Sequence, residues 1–136
     1  MALEIKIIIP KVEKLARKYE FDFVALFGSE ASGKTHKQSD VDMAFSGARN
    51  FSPMEIARMQ SDFSEELGIK DLELVNMKDA PPLLLKQVAL KSRLIYEKNS
   101  SGFALFKIYA FKRYMEARKL LDLRELQLNR FLSQKT

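Results

Sequence analysis

The stretch Phe27–Met43, FGSEASGKTHKQSDVDM, constrains this chain more than any other, because it satisfies two phosphate-binding patterns that demand different topologies. From Gly28, the run GSEASGKT fits G-x-x-x-x-G-K-[ST], a loop whose Lys-[ST] pair opens a long helix with its amides and positive dipole end on the phosphates. From the same glycine, Gly28-Ser29 is followed ten residues later by Asp40-Val41-Asp42, a small bend with paired carboxylates suited to metal-bound phosphates. The first pattern needs its helix to cross back to a parallel strand, which takes about a dozen residues. Only His36, Lys37, Gln38 and Ser39 separate Thr35 from Asp40, all of them polar, so no amphipathic crossover helix fits there. The second pattern is retained.

The flanking residues read as alternating helices and strands. Val12, Leu15, Ala16 and Tyr19 recur at helical spacing, with Pro10 expected at the start of that helix. FDFVALF (Phe21–Phe27) reads as a buried strand ending at Gly28. VDMAF (Val41–Phe45) alternates, with Asp40, Asp42 and Ala44 on one face and Val41, Met43 and Phe45 on the other. Ser52-Pro53 reads as the cap and first turn of a helix carrying Ile56, Met59, Phe63 and Leu67 and closed by Gly68. DLELV (Asp71–Val75) is a further strand with Asp71, Glu73 and Val75 on one face. Ala80-Pro81-Pro82 stops it and opens a helix to about Lys91. RLIYE (Arg93–Glu97) is the last strand, and from Ser101 one long helix runs to about Leu132. The expected fold is α/β: a small mixed sheet flanked by helices, with residues 1–100 as the core and 101–136 as a C-terminal helical extension of the same domain.

A chain of 136 residues with 46% hydrophobic and 30% charged side chains suits one globular domain rather than two. It has no cysteine, which excludes disulfides and thiolate metal sites. The apolar run in MALEIKIIIP is too short for a signal peptide or a spanning helix, so a cytoplasmic protein without membrane association is expected. The net charge of +5 is spread along the chain and fits a solvated surface better than a nucleic-acid footprint. Direct nucleic-acid binding is not expected.

The retained pattern implies a particular chemistry. The missing side chain of Gly28 lets backbone amides approach a phosphate, and Ser29 adds a hydroxyl. Asp40 and Asp42, two apart on a strand, project from one face and can share a pair of divalent ions; a third carboxylate is expected from the neighbouring strand, at Glu73 or Asp71. Mg²⁺ prefers oxygen ligands and keeps several waters, so three carboxylates plus substrate phosphates suffice. His36, Lys34 and Lys37 read as loop residues outside this set.

From about Phe23 to Glu97, the order GS, ten residues, DVD, and DLELVNMKDAPPLLLKQVALKSRLIYE resembles the minimal MNT-type nucleotidyltransferases of the DNA polymerase beta superfamily. Measured from Ala80-Pro81-Pro82, Glu73 stands where that family has its third carboxylate and Asp71 does not. The resemblance implies an antitoxin that transfers AMP from ATP to a tyrosine of a HEPN-domain ribonuclease toxin, with two Mg²⁺ ions. It implies that Gly28 and Ser29 hold the triphosphate and that Asp40, Asp42 and Glu73 bind metal and carry catalysis. Two positions depart from the family: Ser32-Gly33 where Arg-Gly is common, and Glu73 where Asp is usual.

The terminal helix leaves a choice open. Phe103, Phe106, Ala110, Tyr114, Ala117 and Leu121 form one stripe, yet Phe111, Leu120, Leu126 and Phe131 spread wider than a core-facing stripe requires. Either the helix covers the sheet, or part of it docks a partner in a homo- or hetero-oligomer. The alternatives to an enzyme acting on a protein are an antitoxin that works by binding alone and a nucleotidyltransferase for a small acceptor.

Overall fold

The computed structural model describes residues 5–28 and 41–134. In chain order the elements are α1 (Ile5–Lys18), β1 (Phe21–Phe27), β2 (Val41–Gly47), α2 (Pro53–Leu67), β3 (Leu72–Asn76), a single 3₁₀ turn (Met77–Asp79), α3 (Pro82–Leu90), β4 (Arg93–Glu97) and α4 (Gly102–Gln134). The four strands form one sheet in the order β3-β2-β1-β4. β1 is antiparallel to both β2 and β4, while β2 and β3 are parallel and joined through α2. The fold is therefore α/β with a mixed sheet and a long C-terminal helix, as expected.

The antiparallel pairing of β1 and β2, with Phe27 opposite Asp42, is the reverse of the parallel return that a P-loop helix makes. Lys34 and Thr35 themselves lie outside the described residues.

Strand alternation splits the apolar residues into two cores. Phe21, Val24, Leu26, Val41, Met43, Phe45, Leu72 and Leu74 pack against α1 and α2. There Phe21 stacks on Phe45 with centroids 4.4 Å apart and on Phe63 at 6.0 Å. Each such ring is fully buried and contributes up to about 3 kcal/mol by leaving water. On the other face, Phe23, Ala25 and Ala44 lie under α3 and α4. Ala25 and Ala44 are cross-strand partners, and their small side chains leave room for those helices to sit close to the sheet. Phe23 meets Phe103 at 5.1 Å and Phe106 at 4.8 Å, which anchors the first turns of α4.

The caps follow the sequence. Ser52 Oγ accepts the Glu55 N–H and the Glu55 carboxylate accepts the Ser52 N–H, while Gly68 closes α2 in the left-handed conformation. Those bonds, with the Arg49 guanidinium beside it, hold the Glu55 carboxyl below its ordinary range. At the start of α4 the Glu97 carboxylate accepts the Phe103 N–H at 2.8 Å, placing an anion at the positive helix end. On the outer edge of the sheet, Gln60 of α2 accepts the N–H of Leu74, the middle residue of β3, at 3.0 Å.

Pro10 departs from expectation: it lies inside α1 rather than at its start. Ile8 shares the buried stripe of Val12 and Leu15, so burying it draws the helix back through the proline. The missing N–H deprives the Lys6 carbonyl of its partner, and both residues are exposed, so water can serve it. β3 begins at Leu72, one residue later than expected, with the Asp71 carbonyl accepting the Val41 N–H at 2.8 Å just ahead of it. β2 runs on to Gly47, whose Cβ, if present, would lie 2.8 Å from the Phe51 ring.

Candidate active site

One row across the sheet collects the chemically capable residues. Phe27 of β1 is paired with Asp42 of β2, and Asp42 with Glu73 of β3. Their neighbours Val41, Met43, Leu72 and Leu74 all enter the α1/α2 core. Alternation therefore turns the Asp42 and Glu73 side chains to the opposite face of the sheet, the one that α3 and α4 partly cover. Asp42 is half-buried and Glu73 is exposed.

β1 delivers the chain to Gly28, which has φ +78°, a backbone state in which a side chain is strained. It has a second reason to be glycine: a Cβ built there would lie 2.8 Å from Asp42 Oδ2. The Asp42 carboxylate thus takes the space that a side chain at 28 would need. Nothing in the residue pattern announces that contact, which depends on the β1/β2 register. A phosphate approaching the Gly28 backbone therefore approaches an aspartate.

Of the expected site residues, the fold brings together Gly28, Asp42 and Glu73. Ser29 and Asp40, with Ser32 between them in the sequence, lie outside the described residues. Asp71 sits just before β3 and borders a shallow depression with Gln60, Lys70, Leu72 and Glu73. Among the described residues no three His, Cys, Asp or Glu side chains group into a metal site. The pair that is described consists of carboxylates alone, hard oxygen donors of the kind Mg²⁺ takes, beside a glycine with no side chain to obstruct a ligand. A residue that the sequence reading passed over, Ser92, precedes Arg93, the β4 partner of Leu26, and its buried hydroxyl has no hydrogen-bond partner among the described residues.

A cavity of about 520 Å³ lies elsewhere, lined by Phe23, Ser46, Lys78 and Tyr109 among others. Ser46 is four residues along β2 from Asp42, roughly 13 Å at strand rise, so this cavity is separate from the carboxylate row. The glycine bend and the acidic groups coincide at the carboxylate row, which is the candidate site.

A mixed four-stranded sheet flanked by helices, with a glycine bend and carboxylates in one cross-strand row, places the chain among small α/β folds. Residues 10–101 match the family model described as polymerase beta, nucleotidyltransferase, and the chain belongs to that family. Similar solved structures share the fold. One is a crystal structure of a toxin–antitoxin with AMP-PNP, 22% identical, with a TM-score of 0.73, covering 88% of this chain and 98% of that one. Another is a tri-AMPylated Shewanella oneidensis HEPN toxin in complex with MNT antitoxin, 19% identical, TM-score 0.70, covering 91% and 99%. A third is a toxin–antitoxin MntA–HepT, 19% identical, TM-score 0.69, covering 90% and 98%. No curated protein gives a significant sequence match.

Proposed function

We propose that this chain is an antitoxin that transfers AMP from ATP to a tyrosine of a HEPN-domain toxin. The observation that carries the proposal is the cross-strand pairing of Asp42 with Glu73, on one face, beside the side-chain-free bend at Gly28. Family membership supports nucleotidyl transfer, and the toxin–antitoxin structures sharing this fold support the acceptor.

In this reading the Gly28 backbone and the Ser29 hydroxyl would bind the triphosphate, and Asp40, Asp42 and Glu73 would hold two Mg²⁺ ions. When bound, the ions supply charge stabilisation to the attacking and leaving oxygens. Glu73, exposed at the edge of the row, takes the phenolic proton of the acceptor tyrosine. The phenolic oxygen bonds to the α-phosphorus of ATP, the bond from that phosphorus to the oxygen bridging to the β-phosphorus breaks, and pyrophosphate leaves with the electron pair. The half-buried position of Asp42 against Gly28 keeps its carboxylate aimed during the exchange.

Incubation with ATP, Mg²⁺ and the product of the neighbouring gene, which the proposal expects to be a HEPN-domain protein, read by intact mass, should show the mass of AMP added to a tyrosine. Omitting Mg²⁺ or replacing Asp42 by Asn should abolish the addition. An unchanged partner mass overturns the transfer reading. The exposed distal half of α4 favours a second reading, neutralisation by binding alone. In that case Asp40→Ala and Asp42→Ala variants would still protect cells from the toxin.

A further inference from the structure

The buried face of α4 continues far past the body that buries it. Phe103, Phe106 and Ala110 are buried against Phe23 and α3, but every described residue from Arg118 onward is exposed. Leu121 lies about five helical turns beyond Phe103, and Leu128 about five beyond Ala110, so both point in the direction of the buried stripe. They are nevertheless 62% and 56% exposed.

A second apolar strip runs along the other side. Leu123 and Leu126 fall roughly 140–160° around the helix from Leu121 and are 50% and 52% exposed. A helix apolar on two opposite sides does not lie flat on a membrane, which needs one apolar and one polar face. It suits burial on both sides, as between the helices of a bundle.

The charge on α4 identifies the occupant further. Between Gly102 and Gln134 seven Lys and Arg stand against three Asp and Glu. A second copy would set this cationic excess against itself, whereas a carboxylate-bordered apolar groove would be complementary.

We infer that the distal half of α4 is a two-sided docking helix, gripped between helices of a different protein whose apolar groove is bordered by acidic side chains. The choice of probe rests on the antitoxin reading: it is the product of the neighbouring gene, which that reading expects to carry a HEPN domain.

The test uses the full chain with Leu121→Asp/Leu128→Asp, Leu123→Asp/Leu126→Asp and Arg118→Glu/Arg124→Glu, each checked for unchanged unfolding midpoint and helicity, with binding followed by calorimetry. Each leucine pair should weaken binding at least ~100-fold. The arginine pair should weaken it ~10-fold and flatten its salt dependence. The chain alone should sediment as a monomer. Loss of binding from only one leucine pair overturns the two-sided grip. Wild-type binding by both overturns docking through α4, as does a dimer of the chain alone that Leu121→Asp/Leu128→Asp dissolves. Mass measurement of the same mixtures separates the two proposals: α4-dependent binding without AMP transfer sinks the transfer reading alone, and AMP transfer with both leucine variants still binding sinks this one alone.

Discussion

Asp42 Oδ2 stands where a side chain on Gly28 would begin, 2.8 Å from the position its Cβ would take. Gly28→Ala therefore carries two penalties, the positive φ and the displaced carboxylate. We expect about 1–2 kcal/mol of lost stability from the backbone term alone. Nucleotide transfer should be lost even at temperatures where the variant is fully folded. Urea denaturation and intact mass measure the two separately.

Glu73 and Asp71 are told apart by their places at the edge of the sheet. Glu73 lies in the ladder opposite Asp42, whereas Asp71 reaches the ladder only through its carbonyl. Glu73→Gln should reduce AMP transfer by ~10²-fold or more, and Asp71→Ala should leave it within ~2-fold. Initial rates with the HEPN partner check this, and the opposite order would move the third carboxylate to Asp71.

Tyr19, at the end of α1, donates its hydroxyl to Asp62 of α2, and its pKa is pushed up to about 12 by burial, with the Asp62 hydrogen bond and charge adding to it. Because the folded value lies above the ordinary 10, the protonated phenol is the form that folding favours. That stabilisation is complete below pH 10 and disappears as pH rises through about 12. The stability difference between wild type and Tyr19→Phe, from urea titrations at pH 8 through 12, should shrink over that window. A pH-independent difference would contradict the assignment.

The two halves of α4 should respond differently to truncation. Phe106 is 8% exposed and packed against Phe23, so Phe106→Ala should cost about 3 kcal/mol. Leu121→Ala, at an exposed position, should change the stability of the isolated chain by no more than about 0.5 kcal/mol. Thermal unfolding of the two variants makes the comparison.

Much of this was legible locally. FDFVALF forms β1 over its full expected length because aromatic and aliphatic residues fill both faces, and Ser52, Pro53 and Gly68 bound α2 because their cap chemistry acts within a few residues. The alternation in VDM and LEL correctly turned Asp42 and Glu73 away from the α1/α2 core. Less local features were hidden. Pro10 was misplaced because burial of Ile8 outweighed a missing N–H, and Ser46-Gly47 joined β2 because Phe21 and Phe23 lie alongside to pair with them. The steric contact between Gly28 and Asp42 arises only when two strands meet in register. The stripe Tyr114, Ala117, Leu121 was read as continuous with Phe103, and so it is, but a periodicity cannot say where the sheet beneath it ends.

The Gln60 amide on the Leu74 N–H has a consequence for how the molecule behaves in a crowded solution. β3 is an outermost strand, and an outermost strand invites a stranger's backbone to extend the ladder. With its central donor already occupied by a side chain from α2, that rim offers an intruding chain an interrupted template, which protects the folded chain against edge-to-edge aggregation.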